Sequence, residues 1–247
     1  MDDALLYATK VLKIDADGAP NSCRVDGKGL SNTCDGVLAI ENGKSVGPRQ
    51  LGWEDKCHAA WAKASPTQNY SQVDIFGFAH PGGLPQIQGE GDPLPGQAYV
   101  STTSVNVPGA KPGTQRSYID ATEIPYIVLP GGGWYRQHVA DGAIAAVYRP
   151  KTGKFTFAVF GDTGGALDEA SVRLHEDLGG TPIVMDHGVP RASDNIDDPV
   201  IIILFPAQVS SPRQDAASWR VDIALKGAAA FDKWGGLARL RQCGFPK

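Results

Sequence analysis

Apolar residues in this chain come in short runs, not long helical stripes. Residues 8–14, 36–40, 73–78, 99–104, 124–129, 143–148, 154–160 and 200–205 each read as a strand: four to eight residues, rich in β-branched and aromatic side chains. Turn chemistry separates them. Asn42-Gly43 closes the second run, and Pro150-Lys-Thr-Gly153 joins two runs into a hairpin. The tract 79–97 is dense in proline and glycine and reads as a surface loop. Two stretches carry helical spacing instead. Ala170, Leu174 and Leu178 predict a helix of about ten residues ended by Gly179-Gly180. Residues 216–242 predict one long C-terminal helix, interrupted near Gly235-Gly236. About eight strands with few helices give a mainly β (α+β) fold. The expectation is a single β-barrel-like domain spanning 1–247, with peripheral helices.

Composition narrows the class. Thirty glycines and 18 prolines in 247 residues favour a loop-rich β architecture. The net charge of −4 argues against a nucleic-acid partner. No apolar run approaches the eighteen residues of a membrane span, and 200–205 reads as a buried strand. Met1-Asp-Asp-Ala lacks the basic start and apolar stretch of a signal peptide, which a removed leader would equally explain. Cys23, Cys34, Cys57 and Cys243 match no zinc spacing. Pairing Cys23 with Cys34 and Cys57 with Cys243 is the expected disulfide pattern, and with it a secreted or periplasmic location.

The segment Phe160-Gly-Asp162-Thr-Gly-Gly-Ala-Leu-Asp168-Glu169-Ala-Ser171 holds the most direct chemical suggestion. An apolar strand leads in and a helical pattern leads out. Asp162 and Glu169 therefore stand on either side of a glycine-rich turn. Two carboxylates flanking a gap are what glycosidic hydrolysis requires. Local structure alone explains the same residues: Asp162 closing a turn, Asp168 capping the helix, Glu169 in its first turn.

These residues, with others along the chain, resemble the fungal-type chitosanases, glycoside hydrolase family 75, and are closer still to bacterial relatives of that family. Gly161-Asp162-Thr and Glu169-Ala-Ser171 carry the likeness, supported by Ile14-Asp15-Ala-Asp17-Gly18-Ala-Pro, Gln88-Gly-Glu-Gly-Asp92-Pro, Tyr99-Val-Ser-Thr-Thr-Ser104, Tyr118-Ile-Asp120 and Trp234-Gly-Gly. The resemblance implies a double-psi-type β-barrel and an inverting endo-chitosanase whose catalytic pair is Asp162 and Glu169. Asp168 stands where the family has Gly, and the loop 163–168 is shorter than in the fungal enzymes. The charge of Asp168 is expected to raise the pKa of Glu169. Glu169 is taken as general acid and Asp162 as general base; the residues themselves leave the reverse assignment open.

Four further residues are candidates for substrate binding. Asp15 and Asp17 are placed to hold glucosamine amines, against a plain turn or a weak calcium loop. Asp120, ahead of the strand at 124, is a third acid, against turn closure. Tyr126, and Trp134 after it, offer rings for stacking, against a place in the core. Arg136, Arg149 and Lys151 read as solvated. The five histidines are scattered and form no metal set, and Asp186-His187 lacks a nucleophile motif beside it. Leu129-Pro-Gly-Gly-Gly-Trp134 lacks the Lys-Ser/Thr of a phosphate loop. The expected protein is thus a monomeric glycosidase without metal or cofactor, acting on chitosan or a related glucosamine polymer. Its rivals are a peptidoglycan glycan-strand hydrolase or secreted toxin on the same barrel, and a non-catalytic glycan-binding module.

Overall fold

The structure is a computed structural model, described here over residues 4–243. Its strands are β1 (Leu5–Thr9), β2 (Lys13–Asp15), β3 (Val37–Glu41), β4 (Lys44–Val46), β5 (Val73–Ile75), β6 (Tyr126–Pro130), β7 (Ala143–Arg149), β8 (Lys154–Gly164), β9 (Glu169–Ser171), β10 (Ile183–Asp186), β11 (Val189–Ala192) and β12 (Val200–Val209). Its helices are α1 (Trp53–Thr67), α2 (Gly133–His138), α3 (Val172–Asp177), α4 (Ala216–Trp234) and α5 (Gly236–Gln242). The fold is mixed α+β, built on a curled sheet of seven strands in the order β1-β12-β7-β8-β6-β9-β2.

The most apolar runs take the middle of that sheet. β12, β7 and β8 pair antiparallel, with Leu204 opposite Ala145 and Ala145 opposite Ala158. These residues are wholly buried. Buried on both faces, such runs read as continuous apolar stretches. The hairpin turn at 150–153 forms where the sequence puts it. At its base Arg149 is not solvated: it grips Asp198 through Nε (2.9 Å) and Nη2 (2.6 Å). Two pairings are parallel, β6 with β8 and β2 with β9. α4 covers β8 and β7 through Phe231, which meets Phe155 and Phe157 at centroid distances of 4.8 and 6.4 Å. The helix stops at Gly235, in a left-handed conformation (φ 119°), and α5 continues from it. The interruption near Gly235-Gly236 is therefore real.

A second core lies beside the first. β4-β3-β5 form a three-stranded sheet covered by α1. Phe78 and Tyr99 stack at 4.6 Å, and Trp61 closes edge-on over both at 5.8 Å. α1 escaped the strand-and-turn reading, although Trp53, Cys57, Ala60, Trp61 and Ala64 repeat at helical spacing. Its weakly apolar, alanine-rich face gave little contrast.

Four expectations need correction. The disulfide joins Cys34 to Cys57 (Cα–Cα 6.0 Å), while Cys23 and Cys243 are free. The β3–β4 hairpin turns the chain back, so that Cys57, in the first turns of α1, meets the turn carrying Cys34; spacing in the sequence does not reveal this. Residues 8–14 split into β1 and β2. Residues 99–104 make only isolated bridges, Tyr99 to Ile87 and Ser101 to Phe78. The helix after Glu169 begins at Val172 and has six residues; its cap is Ser171, whose side chain accepts the Leu174 N–H. Residues 169–171 are a strand because β2 and β6 claim their backbone bonds.

Candidate functional site

The site begins with a bulge in β8. Phe160 pairs with Ile127, but Asp162 pairs with Val128, so Gly161 is an extra residue. A bulge re-aims the side chain that follows it. Gly161 is required there, because a Cβ would stand 2.6 Å from the Cβ of Tyr126. Asp162 is 7% exposed. Its Oδ1 accepts the backbone N–H groups of Ser104 (2.8 Å) and Thr163 (2.7 Å). Burial drives its pKa up to about 6, and those two N–H donors limit the rise by favouring the ionised form.

Glu169 opens β9, next to β2 with Lys13 as its parallel partner. Its carboxylate lies over Gly164: a Cβ there would be 2.6 Å from Glu169 Oε2. Asp162 and Gly164 are two residues apart on a regular stretch of β8, so they share a face. The strand rise then places the Cα atoms of Asp162 and Gly164 roughly 6–7 Å apart, and the charge of Glu169 acts on Asp162. Glu169 is raised above its ordinary pKa, first by burial and then by the charge of Asp168. Lys13 opposes that rise and pairs with Asp168 at 2.8 Å. The expected influence of Asp168 on Glu169 is present, but burial outweighs it.

Asp15 and Asp17 join the pair, as β2 runs beside β9. Asp15 Oδ1 accepts the Asp17 N–H (2.8 Å). Burial, then the charge of Asp162, pushes Asp15 up to about 7. Asp17 is raised well above the carboxylate range by burial, then by Asp15 and Asp162. Asp15, Asp17 and Asp162 can each offer an oxygen within 4.8 Å of the others. That is the donor chemistry of a hard divalent cation, and equally of carboxyls sharing protons.

These four acids and Asp35 line one groove of about 530 Å³. Leu38, Pro48, Trp53 and Phe76 give it an apolar wall from the smaller core. Among the described residues lining it there is no Lys, Arg or His. Asp35, Trp53 and Phe76 were not singled out in the sequence. Asp35 lies 127 residues before Asp162 in the chain, so only folding unites them. A place out of phase with the alternation of Val73 and Ile75 was the one sequence signal for Phe76.

Two candidates lie elsewhere. Asp120 lines a separate cavity of about 200 Å³ with Arg116, Glu123 and Arg213. It closes a turn, its Oδ1 accepting the Thr122 N–H (2.8 Å) and hydroxyl (2.6 Å). Tyr126 is fully buried, so its ring has no face for a sugar. It supports the site from beneath by donating its hydroxyl to the Asp17 carbonyl (3.0 Å). Trp134 is exposed but stacks on His138 at 4.7 Å and does not line the groove. His187 stands exposed beside Asp186 at the tip of the β10–β11 hairpin. No family model and no curated protein matches the chain.

Proposed function

We propose that the groove hydrolyses β-1,4 bonds within a glucosamine polymer such as chitosan, with inversion at the anomeric carbon. Glu169 gives its proton to the leaving glycosidic oxygen as the C1–O bond breaks. Asp162 takes a proton from the water whose oxygen bonds to C1 on the opposite face. The single observation carrying this reading is the placement of Glu169 over Gly164, two strand residues from Asp162. An inverting pair keeps its carboxyl groups about 6.5–9.5 Å apart to admit that water, and two acids held over neighbouring same-face positions of one strand are compatible with such a gap. The two N–H donors on Asp162 favour the ionised base, and the charge of Asp168 favours a protonated Glu169. A groove lined by five carboxylates and by no Lys, Arg or His suits a polymer of ammonium groups. The groove's acids would repel the carboxylates of peptidoglycan's stem peptides, which makes that substrate the weaker choice. The two parallel pairings support a double-psi arrangement of the curled sheet. The disulfide supports an oxidising compartment, and a secreted or periplasmic enzyme with it.

Release of reducing ends from chitosan and from purified peptidoglycan tests the proposal. Chitosan should be cleaved, with the α-anomer as first product by NMR. Asp162→Asn and Glu169→Gln should each lower kcat by about 10²–10⁴-fold. Cleavage of peptidoglycan alone would move the activity to the wall polymer. Binding without turnover, unaffected by either substitution, would leave a glycan-binding module.

A further inference from the structure

We propose that Phe76, together with Trp53, is the platform on which the groove seats an amino-sugar ring; this rests on reading the groove as a glucosamine-polymer site. Phe76 is 53% exposed, although it directly follows the buried end of β5. Its backbone is nonetheless fixed. The N–H groups of Phe76 and Gly77 both donate to the Gly36 carbonyl at 3.0 Å. A Cβ on Gly77 would stand 2.5 Å from the Gly36 Cα, so the two segments cross at a distance that only glycine permits. The ring is thus held open to solvent by a stiff crossing, tied to α1 through the Cys34–Cys57 disulfide two residues before Gly36.

The occupant follows from what shares the groove with that ring. A hydrocarbon or an apolar peptide face would match Phe76 and Trp53 but would offer nothing to the carboxylates of Asp15, Asp17, Asp35, Asp162 and Glu169 that share the groove. A nucleic acid would be repelled by the same carboxylates. An amino sugar satisfies both sides. The C–H face of its ring covers an aromatic surface, and its hydroxyls and ammonium meet the acids.

The test is titration of a fully deacetylated glucosamine hexamer, by calorimetry, into the wild type and into a Glu169→Gln background that leaves the oligomer uncut. Phe76→Ala should raise Kd about tenfold. Phe76→Tyr should bind as the parent does, and Phe76→Leu should stay weak because it restores bulk without a ring. Leu225→Ala, another exposed apolar residue on α4, should leave Kd unchanged. Unchanged Kd and KM in Phe76→Ala, with chitosan still cleaved by the wild type, would overturn the platform and leave the hydrolase reading intact. A Phe76→Leu variant that binds as tightly as the parent would also overturn it. Binding that Phe76→Ala weakens, in a wild type that cleaves nothing, would keep the platform and overturn the hydrolase. A wild type that neither binds nor cleaves would overturn both.

Discussion

At Gly164 a side chain and the Glu169 carboxylate would compete for one volume. Gly164→Ala puts a methyl 2.6 Å from Glu169 Oε2 and 2.8 Å from Val128 Cγ1. Val128 is packed in the core, so the Glu169 carboxylate must yield. A displacement of about an ångström is enough to lower kcat by roughly 10²-fold. Steady-state kinetics on chitosan should show that loss, while circular dichroism stays that of the parent. Asp15 supplies a second prediction. Burial and the charge of Asp162 hold Asp15 near 7, and Asp162 near 6, both above the ordinary 3.8. The folded chain therefore keeps protons that the unfolded chain releases. Stability from these groups is fully present below about pH 4 and is lost as pH rises through 6 and 7. The melting temperature should accordingly fall between pH 5 and pH 8. Asp15→Asn, which has no charge to bury, should melt about 3 °C or more above the parent at pH 8, with little difference at pH 4. Calorimetry across that range checks the sign.

The elements were legible where their pattern was strong. β7, β8 and β12 are continuous apolar runs, and the Gly235 break in the terminal helix is chemically explicit. β2, β4, β5 and β9 have three residues each, too few for any periodicity to speak. Glu169 shows the consequence. Its surroundings carry a helix pattern, and neighbouring strands override it by binding its backbone. The α4–β8 contact depends on one small residue. A Cβ on Gly227 would overlap the Phe157 ring. Gly227→Ala should therefore cost about 1–2 kcal/mol net, since the clash outweighs the roughly 1 kcal/mol gained in helix propensity. Urea denaturation would register it. The Cys34–Cys57 link, 23 residues apart in sequence, restrains the smaller core. Replacing both with serine should lose about 3 kcal/mol and lower Tm by roughly 6–12 °C.

At the scale of the whole molecule, the groove is a seam between two cores. The main sheet contributes Asp15, Asp17, Asp162 and Glu169, and the smaller unit contributes Asp35 and the apolar wall. Acid–base hydrolysis there needs one carboxyl protonated and another ionised. The pH dependence of kcat/KM should thus be bell-shaped on the acid side of neutrality, its limbs belonging to the coupled cluster. The proposed chemistry routes no step through a metal, so activity should persist in excess EDTA; loss restored by a divalent ion would instead assign one to Asp15, Asp17 and Asp162. The sequence by itself determined the central strands, the β7–β8 hairpin and the helix break, because these rest on local composition and spacing. It pointed to Asp162 and Glu169 through their places across a glycine-rich turn and a resemblance, and to Asp15 and Asp17 through the same resemblance. Only the tertiary structure decided that Glu169 sits over Gly164, that Asp120 and Tyr126 stand outside the groove, that Cys34 pairs with Cys57, and that Phe76 faces the acids. Each of these is a meeting of distant segments, fixed by a bulge, a parallel pairing or a backbone crossing that no local pattern encodes.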